Sequence, residues 1–360
     1  MSSSPSIRIR PALDRIATYK PGKGHAGEVT KLSSNENPNP TLPAIRAAVD
    51  RATAELNRYP DMLATPLVDA LADDLGVDAE RIVIGNGSCS LIAQLLLAVA
   101  TEGDEIVMPW RSFEAYPILI GVSGADAVPV PLADGFLHDP AGLVDAVTDR
   151  TRAVLLCTPN NPTGTPLRRE AFEYIMENVP SDVLVLLDEA YYDFDDSPER
   201  LDGIALTEQY PNLIAARTFS KAFGLAGLRV GYSVSSPFIA EALRKTTTPF
   251  SVNQAAQAAA IEALTLRAEV DKQVAGIVAA RDALHAAVTE GGWQVPKSAS
   301  NFLWFPGADA REAIIDACTP RGVIVRAFPD GVRVTVGAPE ENERFLDAIA
   351  SIDPQTLTQY

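Results

Sequence analysis

Three histidines, His25, His138 and His285, are all that this 360-residue chain contains. None neighbours another or a cysteine pair, so a metal site would need ligands gathered from afar with no local spacing to suggest it. No metal is expected, and proton transfer falls to lysine, carboxylates and tyrosine. Cysteine is as scarce. Cys89, Cys157 and Cys318 are odd in number and far apart, which excludes a disulfide framework and fits a reducing compartment. Basic residues are outnumbered, 30 Lys and Arg against 47 Asp and Glu, for a net charge of −17. That argues against nucleic acid or an anionic membrane as the main partner, because both require basic patches; a locally positive pocket for a small anion remains compatible. No run of about 18 apolar residues occurs, and the first ten residues carry no apolar core of signal-peptide length. The expectation is a soluble, cytoplasmic protein without a membrane partner.

What is present is the balance of a globular protein, 47% hydrophobic and 21% charged. The length exceeds one ordinary core and suggests two or more domains. After a polar lead (2–39), helical periodicity runs from about 42 towards 56. From 81 onward short apolar runs alternate with helical patterns. Segments 82–84, 105–108, 127–130, 153–156, 183–187, 213–216 and 228–234 read as strands, and 91–100 and 169–176 as helices. Fully apolar strands separated by helices indicate an α/β fold with a mainly parallel sheet covered on both faces. Long helices at 255–264 and 268–289, then strands at 301–305, 323–326 and 332–336, suggest a smaller α+β domain. The expected division is an N-terminal segment, 1–45, packing on the small domain; a large domain, 46–245; and the small C-terminal domain, 246–360.

In open α/β sheets, polar residues at the carboxyl ends of strands converge on the ligand crevice. Four strand ends here carry unusual chemistry. The richest is the run from Arg217 to Arg229, Arg-Thr-Phe-Ser-Lys-Ala-Phe-Gly-Leu-Ala-Gly-Leu-Arg. Lys221 offers an amine for a Schiff base; Thr218, Ser220 and Arg229 offer donors and fixed positive charge for a phosphate. Taken alone, the run also fits a solvated lysine in a polar turn. Gly85-Asn-Gly-Ser88 lies between a strand and a helix start, where backbone N–H groups and the helix dipole favour an anion, although glycines also simply make tight turns. It is not a nucleotide P-loop, lacking Gly-Lys-Ser/Thr. Cys157-Thr-Pro-Asn-Asn-Pro-Thr-Gly164 forms a rigid loop that either presents Asn161 to a ligand oxygen or only holds itself together. Asp188, closing an aliphatic strand, is costly to bury unless paired. It either faces a protonated heterocyclic nitrogen or caps the next helix, with Tyr191 three residues on. Lysine, aspartate, tyrosine, asparagine and a phosphate cradle together meet each polar atom of pyridoxal phosphate.

With these motifs the chain resembles the fold-type I pyridoxal-phosphate aminotransferases, in the branch holding histidinol-phosphate and aromatic amino-acid aminotransferases. The resemblance spans nearly the whole chain, from Ser33-Ser-Asn-Glu-Asn-Pro38 to Val332-Arg-Val-Thr-Val-Gly337. It implies a two-domain protomer, a homodimer with shared active sites, and small-molecule amino-acid and 2-oxo-acid substrates. By the same resemblance Lys221 forms the Schiff base and serves as general base and acid, Asp188 pairs with the pyridinium nitrogen, and Tyr191 and Asn161 bond the ring oxygen. Thr218, Ser220 and Arg229, with Gly87 and Ser88, hold the phosphate. Phe113 matches the aromatic that stacks on the ring, and Tyr59 a tyrosine that reaches the phosphate across the dimer. Arg333 matches the arginine that grips the substrate carboxylate, with Asn35 a further substrate-binding candidate. Both aromatics equally fit core positions, and Arg333 a strand surface.

Within that branch, histidinol-phosphate enzymes carry Asn or Asp followed by Glu where this chain has Cys89-Ser90, and Pro-Tyr where it has Pro249-Phe250. The lead Tyr19-Lys-Pro-Gly-Lys23 looks more like the aromatic branch. A substrate phosphate buried without donors binds poorly. Transamination of phenylalanine or tyrosine with 2-oxoglutarate is therefore the preferred reading, with histidinol phosphate as the alternative donor and a phosphothreonine-type decarboxylase as a more distant one. The N-terminal segment, which contains Asn35 and Asn37, is expected to order on substrate binding.

Overall fold

A computed structural model describes residues 9–16, 18 and 29–357; the Tyr19–Lys23 motif and His25 lie outside the described residues. Among the described residues eleven strands form two sheets: β1 (Thr30–Leu32), β2 (Ile82–Gly85), β3 (Glu105–Trp110), β4 (Asp126–Pro131), β5 (Thr151–Cys157), β6 (Leu184–Asp188), β7 (Leu213–Thr218), β8 (Gly231–Ser235), β9 (Phe302–Pro306), β10 (Val323–Phe328) and β11 (Gly331–Thr335). The larger sheet has the order β2-β8-β7-β6-β5-β3-β4. Strands β4, β3, β5, β6 and β7 pair in parallel, and β8 runs antiparallel to both β7 and β2.

The alternation of side chains along a strand divides this sheet's aliphatic residues between two cores. Ile106, Leu155, Leu186 and Ile214 pack with Leu91, Leu95, Tyr116, Ile120 and Leu243 from helices Ser88–Val99, Ala115–Ser123 and Pro237–Thr246. On the opposite face Val107, Val154, Leu156, Val185 and Leu187 meet Leu143, Phe172 and Ile175 from helices Pro140–Asp145 and Arg169–Asn178. Coverage of both faces is why the strands read as continuous apolar runs. Their polar residues are pushed to the strand ends.

The second sheet has the order β1-β10-β11-β9, with β1 parallel to β10 and the rest antiparallel. Phe302, Phe305, Val332 and Val334 are among its buried residues, and Phe345 from helix Pro339–Ile349 packs against Phe305. Strand β1 ties the segment at 30–37 to this sheet although some 290 residues separate Thr30 from its partner Val323.

Two expectations need correction. The segment from 228 does not begin as a strand: Ala226–Leu228 is a 3₁₀ turn, Arg229 sits at φ 59°, and β8 starts at Gly231. A Cβ on Gly231 would lie 2.8 Å from the Ser88 nitrogen and from the Arg217 carbonyl, so close backbone approach sets the start. The first helix stops at Ala52, with Thr53–Glu55 in 3₁₀ form. There Thr53 Oγ1 donates back to the Val49 and Asp50 carbonyls, an alternative partner for helical backbone.

Candidate active site

The carboxyl ends of β5, β6 and β7 point to one place, beside the start of the 88–99 helix. A cavity of ≈160 Å³ there is lined by Ser88, Cys89, Phe113, Cys157, Asn161, Asp188, Ala190, Tyr191, Thr218, Ser220, Lys221, Ala226 and Arg229. A cavity of about 150 Å³ accommodates a benzene ring. The space suits one aromatic ring.

Lys221 follows β7 and donates from Nζ to the Ser34 and Asn35 carbonyls at 3.1 and 3.2 Å. Burial pushes its pKa down to about 7; the Arg333 and Arg229 charges act the same way, while Glu36 and Asp188 oppose them. Near neutral pH a substantial share of the amine is therefore neutral and available as a base and nucleophile.

Asp188 ends β6 and is buried. Its Oδ2 accepts from Tyr116 Oη at 2.8 Å and its Oδ1 from the Ala190 N–H at 3.2 Å. Burial raises the carboxyl pKa to about 6, against the Tyr116 and Ala190 hydrogen bonds and the Lys221 charge, which lower it. Such a carboxylate gains from a cationic partner in the cavity.

Tyr191 and Asn161 are both oriented from behind. Asn35, at φ 54° and buried, donates from Nδ2 to Tyr191 Oη at 2.8 Å, and its Oδ1 accepts from Thr335 Oγ1 at 3.0 Å. The Tyr191 proton is thereby left to donate elsewhere. Arg333, on β11, donates to Asn161 Oδ1 at 2.6 Å and to the Ser33 carbonyl at 2.8 Å, so the amide NH₂ is what Asn161 can offer a ligand. The side chain of Asn35 is engaged with Tyr191 and Thr335, and its carbonyl with Lys221 and Asn301. Arg333 is buried, not spread on a strand surface.

Thr218 Oγ1 donates to Ser220 Oγ at 2.9 Å and accepts from the Ser220 N–H at 3.1 Å; Arg229 donates to Ser220 Oγ at 3.3 Å. Gly87 sits at φ 82°, and a Cβ there would lie 2.5 Å from the Arg229 guanidinium. Only glycine allows that approach at that backbone angle. Together with Ser88 at the helix start, these groups form an anion cradle.

Phe113 lines the cavity, edge-on to Tyr116 at 5.5 Å between centroids. On either side of it Arg111 pairs with Asp330 at 2.7 Å and Glu114 with Arg326 at 2.7 Å, both reaching the β10–β11 hairpin. Tyr59 stands apart, 80% exposed and stacked on Phe250 at 4.6 Å between centroids. Leu56, Met62 and Leu63 are exposed beside it, and an open groove of ≈440 Å³ runs from Met62 and Leu63 to Pro249 and Val252.

Sequence reasoning passed over two groups. Tyr116 was visible only as an aromatic three residues after Phe113, and it falls in the first turn of the helix Ala115–Ser123, which Phe113 precedes. Glu189, fully buried, receives Arg217 Nε at 2.9 Å and the Gly203 N–H at 2.8 Å, and Arg217 also reaches Asp202 at 2.8 Å and lies over the Tyr192 ring. An arginine ending an otherwise apolar strand was the available signal. Among the described residues, no group of three or more His, Cys, Asp or Glu could hold a metal ion, and no helix is long and apolar enough to cross a membrane.

Comparison with known proteins gives a consistent picture. The family model for aminotransferase class I and II matches residues 27–349. An aromatic amino acid aminotransferase of Streptomyces coelicolor is 47% identical over 348 residues, covering 96% of this chain and 97% of that protein. One of Cutibacterium acnes is 43% identical, covering 93% and 96%. The crystal structure of histidinol-phosphate aminotransferase from Sinorhizobium meliloti in complex with pyridoxal-5'-phosphate superimposes with a TM-score of 0.87 at 28% identity, covering 98% of both chains.

Proposed function

We infer the reaction from the premise that this chain belongs to the class I and II aminotransferases, with the fold-type I architecture: it transaminates aromatic amino acids, phenylalanine or tyrosine, with 2-oxoglutarate as acceptor. The observation that carries the cofactor assignment is the pair of donors, Asn161 NH₂ and Tyr191 OH, oriented by Arg333 and Asn35 into a cavity that also holds Lys221 and Asp188. That donor set fits pyridoxal phosphate. The two donors suit its ring oxygen, Asp188 its ring nitrogen, Lys221 its aldehyde, and Ser88, Thr218, Ser220 and Arg229 its phosphate. The relatives' aromatic substrates support the substrate class.

When bound, the cofactor supplies an aldehyde for amine exchange and a protonated ring that draws electrons from the substrate Cα–H bond. The chain supplies the rest. Lys221, its pKa lowered to about 7, would hold the cofactor through its aldehyde carbon and, once freed, would serve as base and acid at the substrate Cα. Asp188 would pair with the protonated ring nitrogen. Arg333 offers a planar fork to the substrate carboxylate, for which guanidinium geometry is suited.

Homodimer formation belongs to the same reading. Tyr59, too exposed to serve its own chain's cavity, reaches the phosphate of a second copy, and the apolar surface around Leu56, Met62 and Leu63 supports a partner there. The division into 1–45, 46–245 and 246–360 is supported by the seven-stranded sheet lying within 82–235 and by β1 pairing with β10. A cytoplasmic setting agrees with the three free thiols.

Mixing holoenzyme with phenylalanine, and separately with histidinol phosphate, while following the bound-cofactor absorption band in single turnover tests the assignment. Fast conversion by phenylalanine alone is expected. Conversion by histidinol phosphate alone would overturn the substrate class, and no band at all would overturn the cofactor.

A further inference from the structure

A phenol in a core needs a partner for its hydroxyl. Tyr116 is fully buried among Ile120, Ile106 and Leu155, where phenylalanine would pack as well. Its hydroxyl instead donates to Asp188 Oδ2 at 2.8 Å, while the ring supports the edge of Phe113. One side chain thus touches both the carboxylate assigned to the ring nitrogen and the aromatic assigned to the ring face.

We propose that Tyr116 is a positioning residue for the reaction, whose buried hydroxyl keeps Asp188 ionised and fixed in orientation so that the proton of the pair stays on the cofactor's ring nitrogen. The inference rests on the pyridoxal-phosphate reading above. A buried carboxylate with one donor fewer binds its own proton more tightly, and a proton held by Asp188 is one the ring nitrogen lacks. The groups facing Asp188 are Tyr116 from the 115–123 helix, Cys157 from β5, Cys89 from the 88–99 helix, and Tyr191 and Lys221 from the segments after β6 and β7. Burial pushes both thiols and both phenols upward, which leaves Lys221 as the other group that titrates near neutrality.

The test uses holoenzyme reconstituted with ¹⁵N-ring-labelled pyridoxal phosphate. In Tyr116→Phe the ring-nitrogen resonance should move towards the neutral pyridine position, cofactor dissociation should accelerate, and kcat should fall with KM for the amino acid nearly constant. The acid limb of kcat/KM should rise by roughly one to two pH units, the size expected for one lost hydrogen bond to a charge. Site-specific replacement of Tyr116 by 3-fluorotyrosine keeps the shape with a more acidic phenol and should move the same limb to lower pH, so a fold defect in the phenylalanine variant leaves a second arm. A wild-type resonance and acid limb in both variants would overturn the proposal. Failure of wild-type protein to bind the labelled cofactor would instead overturn the functional reading beneath it.

Discussion

Arg333 donates to Oδ1 of Asn161 at 2.6 Å and thereby decides which end of that amide faces the cavity. An arginine from the smaller sheet sets the donor direction of a loop on the larger one. Its guanidinium also meets the Ser33 carbonyl, a fork that an ammonium cannot reproduce. Arg333→Lys should lower kcat/KM for the amino acid by about 10- to 100-fold, the worth of one charge-assisted hydrogen bond. Steady-state kinetics check this, and a change under twofold would remove Arg333 from carboxylate binding.

The pH dependence of cofactor capture follows from the Lys221 amine. With its pKa near 7, the neutral nucleophilic form grows as pH rises, so capture of pyridoxal phosphate by stripped protein should accelerate through about pH 7 and then level off. Arg333 contributes to the lowering. Arg333→Gln should therefore move the midpoint upward, read by stopped-flow absorbance; an unmoved midpoint would leave burial and the Arg229 charge as the causes.

Glu189 and Arg217 form a buried pair beneath the site. Breaking a buried pair typically costs about 3–5 kcal/mol, and the Arg217–Asp202 contact that would remain at 2.8 Å puts the loss at the lower end. Glu189→Ala should lose stability of that order in urea unfolding, and Glu189→Gln less, because the amide oxygen still accepts from the Gly203 N–H. Equal midpoints for Glu189→Ala and wild type would show the pair to be idle.

In the proposed homodimer, Tyr59→Phe should leave the sedimenting mass unchanged while loosening cofactor retention by about tenfold, as expected for one hydrogen bond to a charged oxygen. The Phe250 stacking partner is kept in that variant. Wild-type retention would place the Tyr59 hydroxyl outside the phosphate site.

Much of this was legible in the residues. Aliphatic runs gave the buried strands, because strands covered on both faces carry no polar alternation to confuse them. The polar residues concentrated at strand ends, Asp188 and the Thr218–Lys221 turn, marked the cavity for the same reason. Other features depend on contacts between distant segments. Tyr116 and Asp188 are 72 residues apart and Asn35 and Tyr191 156 apart, and no local spacing encodes such meetings. The reading of strand from 228 failed because Ala226–Leu228 closes a 3₁₀ turn and Arg229 takes a left-handed backbone before β8 begins.

The ion pairs from Arg111 to Asp330 and from Glu114 to Arg326 lie immediately on either side of Phe113. Phe113, which lines the cavity, is thus tethered, fore and aft, to the β10–β11 hairpin. Any rocking of that hairpin is transmitted to the aromatic through two struts only a few residues long. The placement of Phe113 in the cavity and the attitude of the hairpin that carries Arg333 are mechanically one adjustment.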